Sequence, residues 1–512
     1  NKIFKKILRK EIKNISNFNQ KNTRKLKLIK TLNIYSDKVN KKFLMKKLKI
    51  DEKTLKNDIN TINQKYSAIL NINIHNSDIE VKYKKNANIE MFFSCIIKNS
   101  SIFKIVEAIF FNDFNTLNDI AKHEFFSITT VYRALKKFNK SVSKIYDFKI
   151  NRKLFQFEGN EDNIRTFLFH LFREKYSYNE WPFEKYDKEK IIKLQNTFLK
   201  SIGVKKFPYI DNEIMTILYP IHIERLKSGH CVLPYLIKEN FNNIKVQEAY
   251  NCSELKNLFE EFELEFTKEN IMDIFYYYLH KDIAFSFLDL IKKTKSNTLI
   301  NFSIYQALES TYKLSDKFNL KLNNPYELIT YIHNANVFLY DNFNSNYIVF
   351  DKHNIYISKL QIVFPEFMKE LSKTIKKYLL IIKGEVKKCH IEYLIYTVIS
   401  TWDNLLPQLY KYNKKIKTLV ISRFNYKKSI SLKNQLEILF PNFLDLHLSN
   451  NNDIYYKNIK DKNYELIIAD FNIPKSKKFE TLYINGNIMK FEVIEIIKKI
   501  IKLRFEEHNK LN

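Results

Sequence analysis

Glycine is nearly missing from this chain, five residues in 512. A sequence this poor in the one residue that turns freely through positive φ does not build glycine-rich phosphate loops or a turn-dense all-β fold. Cysteine is equally scarce: Cys95, Cys231, Cys252 and Cys389. No two of them form a CxxC pair, so the common zinc spacing is excluded, and reduced, buried thiols in a reducing compartment are expected. No run reaches the roughly 18 uncharged apolar residues of a membrane span. The basic start, NKIFKKILRKEIKN, lacks the apolar centre and small-residue cleavage site of a secretory leader. The chain opens on Asn1, so an initiator methionine or a short leader is expected to have preceded it. The patterns HExxH, GxSxG and GxxxxGK[ST] are absent too, and no carboxylate cluster offers a catalytic metal site. The reading is a protein without catalytic machinery, metal or cofactor.

What is present is core material and positive charge. Hydrophobic residues make up 45% and aromatics 15%, too much for disorder, and the length calls for several domains. The net charge is +30. Residues 1–150 hold 32 Lys and Arg against 13 Asp and Glu, while residues 151–512 hold 54 against 43. Residues 1–66 alone hold 20 against 5. The codon bias of an AT-rich genome would spread lysine evenly. This gradient instead fits phosphate neutralisation with counterion release, so a nucleic acid is the expected partner of a soluble, cytoplasmic protein.

The basic segment reads as short helices. Leu26, Ile29 and Leu32 mark one apolar face. A second helix is predicted over 39–48, with Val39, Phe43, Leu44 and Leu48 inward, followed by a tight break at Lys49–Ile50. Asp51 is a good N-cap for a third helix, in which Leu55, Ile59 and Ile62 point inward. Lys53, Thr54, Lys56, Asn57 and Asn60 point outward. Two helices about a short turn, the second polar on its outer face, make a helix-turn-helix. The alternating runs 69–74 and 79–83 then predict a hairpin wing. The pattern repeats: a helix over 102–111, another over 116–123, a third capped by Ser127, and a hairpin over 146–158. In this third helix Val131, Leu135 and Phe138 face in, while Thr129, Thr130, Tyr132, Arg133 and Lys136 are the candidates for DNA contact.

Residues 160–400 are mostly amphipathic helix, opening on a predicted helix at 160–172 and interrupted by Trp181-Pro182-Phe183. Strand-like runs at 416–422, 443–449 and 464–474 then alternate with a helix at 429–441, and a long helix at 490–507 follows. That alternation predicts a small parallel α/β domain.

The order of parts resembles the Mga/AtxA class of transcription regulators. TLNDIAKHEFFSITTVYRALKKFN (116–139) is similar to that family's Mga-type helix-turn-helix, and FEGNEDNIRTFLFHLFREKY (157–176), followed by WPF, to its linking segment. The implied fold is mainly α and multidomain. It comprises a winged helix-turn-helix at 1–90, a second with its linker helix at 91–180, helical domains like those regulated by the sugar phosphotransferase system (PTS) at 181–290 and 291–410, and an EIIB-like α/β domain at 411–512. The implied function is regulation of transcription, as an activator of global or virulence type, on double-stranded promoter DNA. The resemblance also implies a homodimer and histidine phosphorylation by the PTS phosphocarrier; no membrane partner is expected, since no apolar run is long enough to span a membrane.

Candidate phosphohistidines are His222, His230, His280 and His333, with His390 also in the helical blocks. In PTS-controlled antiterminators an acidic residue precedes the key histidine, whereas Ile221 precedes His222. EIIB enzymes carry a nucleophilic cysteine after their first strand; here Arg423-Phe424-Asn425-Tyr426 follows, so phosphoryl transfer by that route is excluded. The alternative, an RNA-binding antiterminator or basic scaffold with the same regulatory domains, would need a small RNA-binding β domain in front.

Overall fold

The computed structural model describes residues 20–35, 38–177, 179–204, 215–232, 241–295, 297–339, 347–384, 386–412, 415–448, 463–473, 478–484 and 488–510. The basic start (1–19) and the last residues of the predicted strands 443–449 and 464–474 lie outside them. The chain folds as two units. One comprises residues 1–309, 324–356 and 375–401, and the other 310–323, 357–374 and 402–512.

The first unit begins with α1 (Gln20–Tyr35), β1 (Lys38–Asn40), α2 (Lys41–Leu48), α3 (Glu52–Lys65), β2 (Leu70–His75) and β3 (Asp78–Tyr83). Leu26, Ile29, Leu32, Leu44, Leu55, Ile59 and Ile62 are buried, as the periodicity predicts. The second helix starts later than 39. Val39 pairs with Ile79 in a strand, and the Asn40 side chain accepts the Lys42 N–H at 3.0 Å, so the cap fixes the helix start. Phe43 is not in the core either; it is 39% exposed, edge-on to Tyr35 at 5.1 Å. The wing is a three-stranded sheet, β1-β3-β2, rather than a bare hairpin.

Next come α4 (Ile89–Lys98), which the sequence reading did not single out, α5 (Ser101–Phe111), α6 (Leu117–His123) and α7 (Ile128–Tyr146). Helix α7 extends through the buried Tyr146, so the second wing is shorter than 146–158: β4 (Phe148–Ile150) against β5 (Phe157–Gly159). Asp147, at φ 53°, turns the chain from helix to strand. Gly159 closes the wing at φ 138°; a Cβ there would lie 2.7 Å from the Asp147 carbonyl and from Phe148.

One device joins each wing to its helix. The Asn63 carboxamide on α3 donates to the Ile72 carbonyl at 2.9 Å and accepts its N–H at 2.7 Å. Asn139 on α7 does the same to Ile150, both bonds at 2.8 Å. A carboxamide matches a peptide group donor for acceptor, so it completes a strand edge as another strand would.

Helix α8 (Glu161–Lys175), capped by Asn160 as its polar start suggests, is the pillar of this unit, with 13 of its 15 residues buried. Arg165 is fully buried on it. Its guanidinium lies 3.0 Å from Glu161 and 2.7 Å from Asp273, and donates to the His230 carbonyl at 2.9 Å. Glu161 also takes Arg225 at 2.7 Å. At the other end, the Glu174 carboxylate accepts the N–H groups of Ile348, Val349 and Phe350 at 2.6–2.9 Å. One apolar cluster runs from Leu26 through both wings and α8 to Ile355.

The helical region follows with α9 (Lys188–Ser201), α10 (Leu218–Lys227), α11 (Asn243–Tyr250), α12 (Ser253–Glu261), α13 (Lys268–Leu279), α14 (Phe287–Thr294), α15 (Thr298–Lys317), α16 (Pro325–Leu339), α17 (Lys352–Val363), α18 (Pro365–Lys383), α19 (Lys388–Thr401) and α20 (Leu405–Tyr412). The cysteines in it, and Cys95 before it, are half-buried rather than buried. In the second unit, β6 (Ile416–Ile421), β7 (Leu444–Leu448), β8 (Leu466–Ala469) and β9 (Glu480–Tyr483) form a parallel sheet in the order β7-β6-β8-β9. Strand β9 was not predicted. Ile416 and Val420 pack on one face of the sheet, with Ile496 and Ile500 of α22 (Lys490–Lys510), and Leu419 and Ile421 pack on the other. Burial on both faces explains why β8 and residues 419–421 of β6 read as unbroken apolar runs. Helix α21 (Tyr426–Leu439) connects β6 to β7.

Asn139→Ala is expected to destabilise the second winged unit by about 1–3 kcal/mol, because it strands a backbone donor and acceptor at the wing edge. Urea unfolding measures the cost, and an unchanged midpoint would contradict the clamp. A second expectation concerns pH. Burial pushes the Glu174 carboxyl up to about 7, against three N–H groups that favour its anion. The folded chain thus holds this proton more tightly than the unfolded chain. The resulting stabilisation is complete below the ordinary glutamate range and is lost as pH rises toward 7. Glu174→Gln should remove that share of the pH dependence of the melting temperature, leaving the share of Asp162 and Asp351, both pushed up to about 6. A variant whose pH profile matches the wild type would contradict it.

Candidate nucleic-acid interface and regulatory histidines

The two helix-turn-helix heads are built alike, residue for residue. In the first, Lys49 takes φ 55°, the Ile50 N–H returns to the Met45 carbonyl at 3.1 Å, and Asp51 caps α3 through the Thr54 N–H at 2.7 Å. In the second, Phe125 takes φ 56°, the Phe126 N–H returns to the Ala121 carbonyl at 2.9 Å, and Ser127 caps α7 through the Thr130 N–H at 3.2 Å. Leu55, Ile59 and Ile62 correspond to Val131, Leu135 and Phe138, all buried, and Asn63 corresponds to Asn139. This register aligns Lys53, Thr54, Lys56, Asn57 and Asn60 with Thr129, Thr130, Tyr132, Arg133 and Lys136. Thr54 and Thr130 are half-buried beside their caps, and the other eight are exposed. Each set of five lies on the face of its helix turned away from the core.

The heads differ in chemistry. Asp58 is buried in the first and bound by the Arg24 guanidinium, one bond at 2.8 Å, whereas Ala134 holds that place in the second. Lys56 lies 2.9 Å from Glu52, and the hydrogen bonds from Lys41 and then Lys56 hold the Glu52 carboxyl well below its ordinary value. In the second head the guanidinium of Arg152, from the wing turn, lies over the Tyr132 ring at 5.5 Å. The Asn151 side chain accepts the Lys153 N–H at 2.7 Å, which sets Arg152 and Lys153 on the exposed wing tip. These wing residues escaped the sequence reading. Their signal was an Asn opening a turn that carries adjacent cations.

The candidate histidines fall into two groups. His222 is 1% exposed. Its Nδ1–H donates to the Ile274 carbonyl at 2.9 Å, its ring stacks on Tyr276, and Nε2 has no hydrogen-bond partner among the described residues. Burial, then Arg165 nearby, holds its pKa well below the usual histidine value. His333 is 5% exposed and donates from Nε2 to the Asp282 carbonyl at 2.7 Å. His230 and His280 are half-buried. The His280 Nδ1 accepts the Asp282 N–H at 3.2 Å, so one peptide segment joins His280 and His333. Burial lowers the pKa of all three. His390 is buried, with no hydrogen-bond partner for either ring nitrogen among the described residues, and burial lowers its pKa to about 4.

Among the described residues no helix is long and apolar enough to cross a membrane. Residues 85–172 match the Mga helix-turn-helix domain, and residues 205–405 match the PRD domain of the M protein trans-acting positive regulator (MGA). The chain is 24% identical over 496 residues to a trans-acting regulator of Streptococcus pneumoniae, covering 95% of this chain and 99% of that one. It is 25% identical over 188 residues to the capsule synthesis positive regulator AcpB of Bacillus anthracis, covering 37% of each. Two domains of one family, matched in the order the fold presents them, and a relative aligned end to end agree: this chain belongs to the Mga/AtxA-like family of transcription regulators.

Proposed function

We propose that the protein regulates promoters by binding duplex DNA through both winged heads. The observation that carries this is the register of the heads: two outward faces at equivalent positions, on the most basic stretch of the chain. Arg133 and Asn57 suit bidentate base contacts, and Lys53, Lys56 and Lys136 suit phosphate. In this reading the domains divide at about the boundaries that the resemblance implies. The parallel sheet is an EIIB-like oligomerisation or sensing module of a cytoplasmic homodimer. AcpB is described as a positive regulator, and activation is the sign proposed here too.

The test is binding by the full chain to promoter duplex, with hairpin RNA as the competing ligand. Arg133→Ala is expected to weaken duplex binding by about 1–3 kcal/mol and to relax sequence preference. Lys53→Ala is expected to reduce the salt dependence by roughly one counterion with little change in preference. Preference for the hairpin over the duplex would favour the antiterminator reading and reject this one.

The helical region is proposed as the receiver of a phosphoryl group from the PTS phosphocarrier. A phosphocarrier must reach the imidazole, and His230 and His280 are the candidates with exposed surface, whereas His222 and His333 would need α10 and α16 to open. A phosphohistidine replaces a neutral ring with a dianionic group, enough to rearrange a helix interface. Incubation with the phosphorylated carrier should place acid-labile phosphate on His230 or His280. No phosphohistidine anywhere in the chain would reject this regulation.

A further inference from the structure

At three equivalent places the heads present opposite chemistry. The first has Lys49 at the turn, Glu52 at the start of its reading helix, and Lys56 one turn on. The second has Phe125, Ile128 and Tyr132, which are 94%, 49% and 44% exposed. Leu154 of the adjoining wing turn adds a further apolar side chain, 59% exposed. Phe125 is unfavourable there twice over. Its ring is bare to water, and its backbone lies at φ 56°, a conformation that a bulky side chain rarely adopts. Its position is held by the turn, whose Phe126 N–H is bound to Ala121, and by the Ser127 cap that follows. A costly residue held in place at an exposed turn points to a ligand contact.

The surroundings say which ligand. The apolar row continues directly into the outward face of α7, with Arg133 and Lys136 beside it and Arg152 laid over Tyr132. Apolar groups flanked by cations that suit base edges and phosphate fit the major groove, where the apolar feature on offer is the C5-methyl of thymine. We propose that Phe125 and Ile128 read thymine methyl groups, so that the second head selects T-bearing steps while the first head reads polar base edges. This rests on the duplex-binding reading above.

The test uses the full chain and a duplex it selects from a random pool, prepared with thymine or with uracil, which lacks only the methyl. The wild type should bind the uracil duplex more weakly, by about fourfold for each contacted methyl. Ile128→Ala should weaken binding to the thymine duplex and narrow that gap. Phe125→Asn, which suits the positive φ, should act in the same way with the fold preserved, as judged by thermal melting. Equal wild-type affinity for the two duplexes would overturn the inference. So would a thymine preference that survives in both variants, even if they lose promoter activation, since the patch would then serve a protein partner. If the wild type selects no duplex at all, it is the duplex-binding reading that fails.

Discussion

The first unit is organised around the fully buried guanidinium of Arg165. A charge without water has to be met by opposite charge and by hydrogen bonds, and here the partners come from separate stretches of chain: Glu161 on its own helix, Asp273 on α13 and the His230 carbonyl after α10. Arg225 of α10 shares Glu161, and Asp273 in turn accepts the Val232 N–H at 2.6 Å. Removing one member of such a set costs about 3–5 kcal/mol, because the remaining charges are stranded. The network therefore fixes α8, which leads directly out of the second wing, against α10, which carries His222, and α13, which His280 follows.

That geometry gives the regulatory reading a physical route. His222 donates to the carbonyl of Ile274, the neighbour of Asp273, and its ring is close enough to Arg165 for that charge to lower its pKa. His230 offers its own carbonyl to Arg165. A phosphoryl group on His230 would bring negative charge beside Arg225 and Arg165, in competition with Glu161 and Asp273 for the same guanidinium groups. The element that would respond is α8, and with it the wing of the second head.

The second unit makes a different point about phosphate. Ser422 and Arg423 follow β6, and Asp470 follows β8 beside them. The Asp470 carboxylate accepts the Ser422 hydroxyl and, at 2.8 Å, the Arg423 N–H. This is the crevice where the strand order reverses, the usual ligand position of such a sheet. An incoming anion there would meet a carboxylate already holding the nearest backbone donor.

Local patterning determined a good deal of this protein. The caps at Asp51 and Ser127, the inward residues of α3 and α7, their ten outward residues and the apolar character of β6 and β8 were all legible, because each depends on periodicity or on a side chain a few positions away. The tertiary structure decided what depends on distant partners. Val39 became a strand residue because β3 lies beside it. Phe43 left the core for Tyr35. Asn63, Asn139 and Asn334 became clamps on the peptide groups of Ile72, Ile150 and Ala284. The buried charges of Asp58, Arg165 and Glu174 have no sequence signature, since a charged residue reads as exposed until its partner is found. The likeness of the heads could be read from spacing; their difference, charged against apolar at the turn, took its meaning only when burial showed Phe125 and Ile128 facing water.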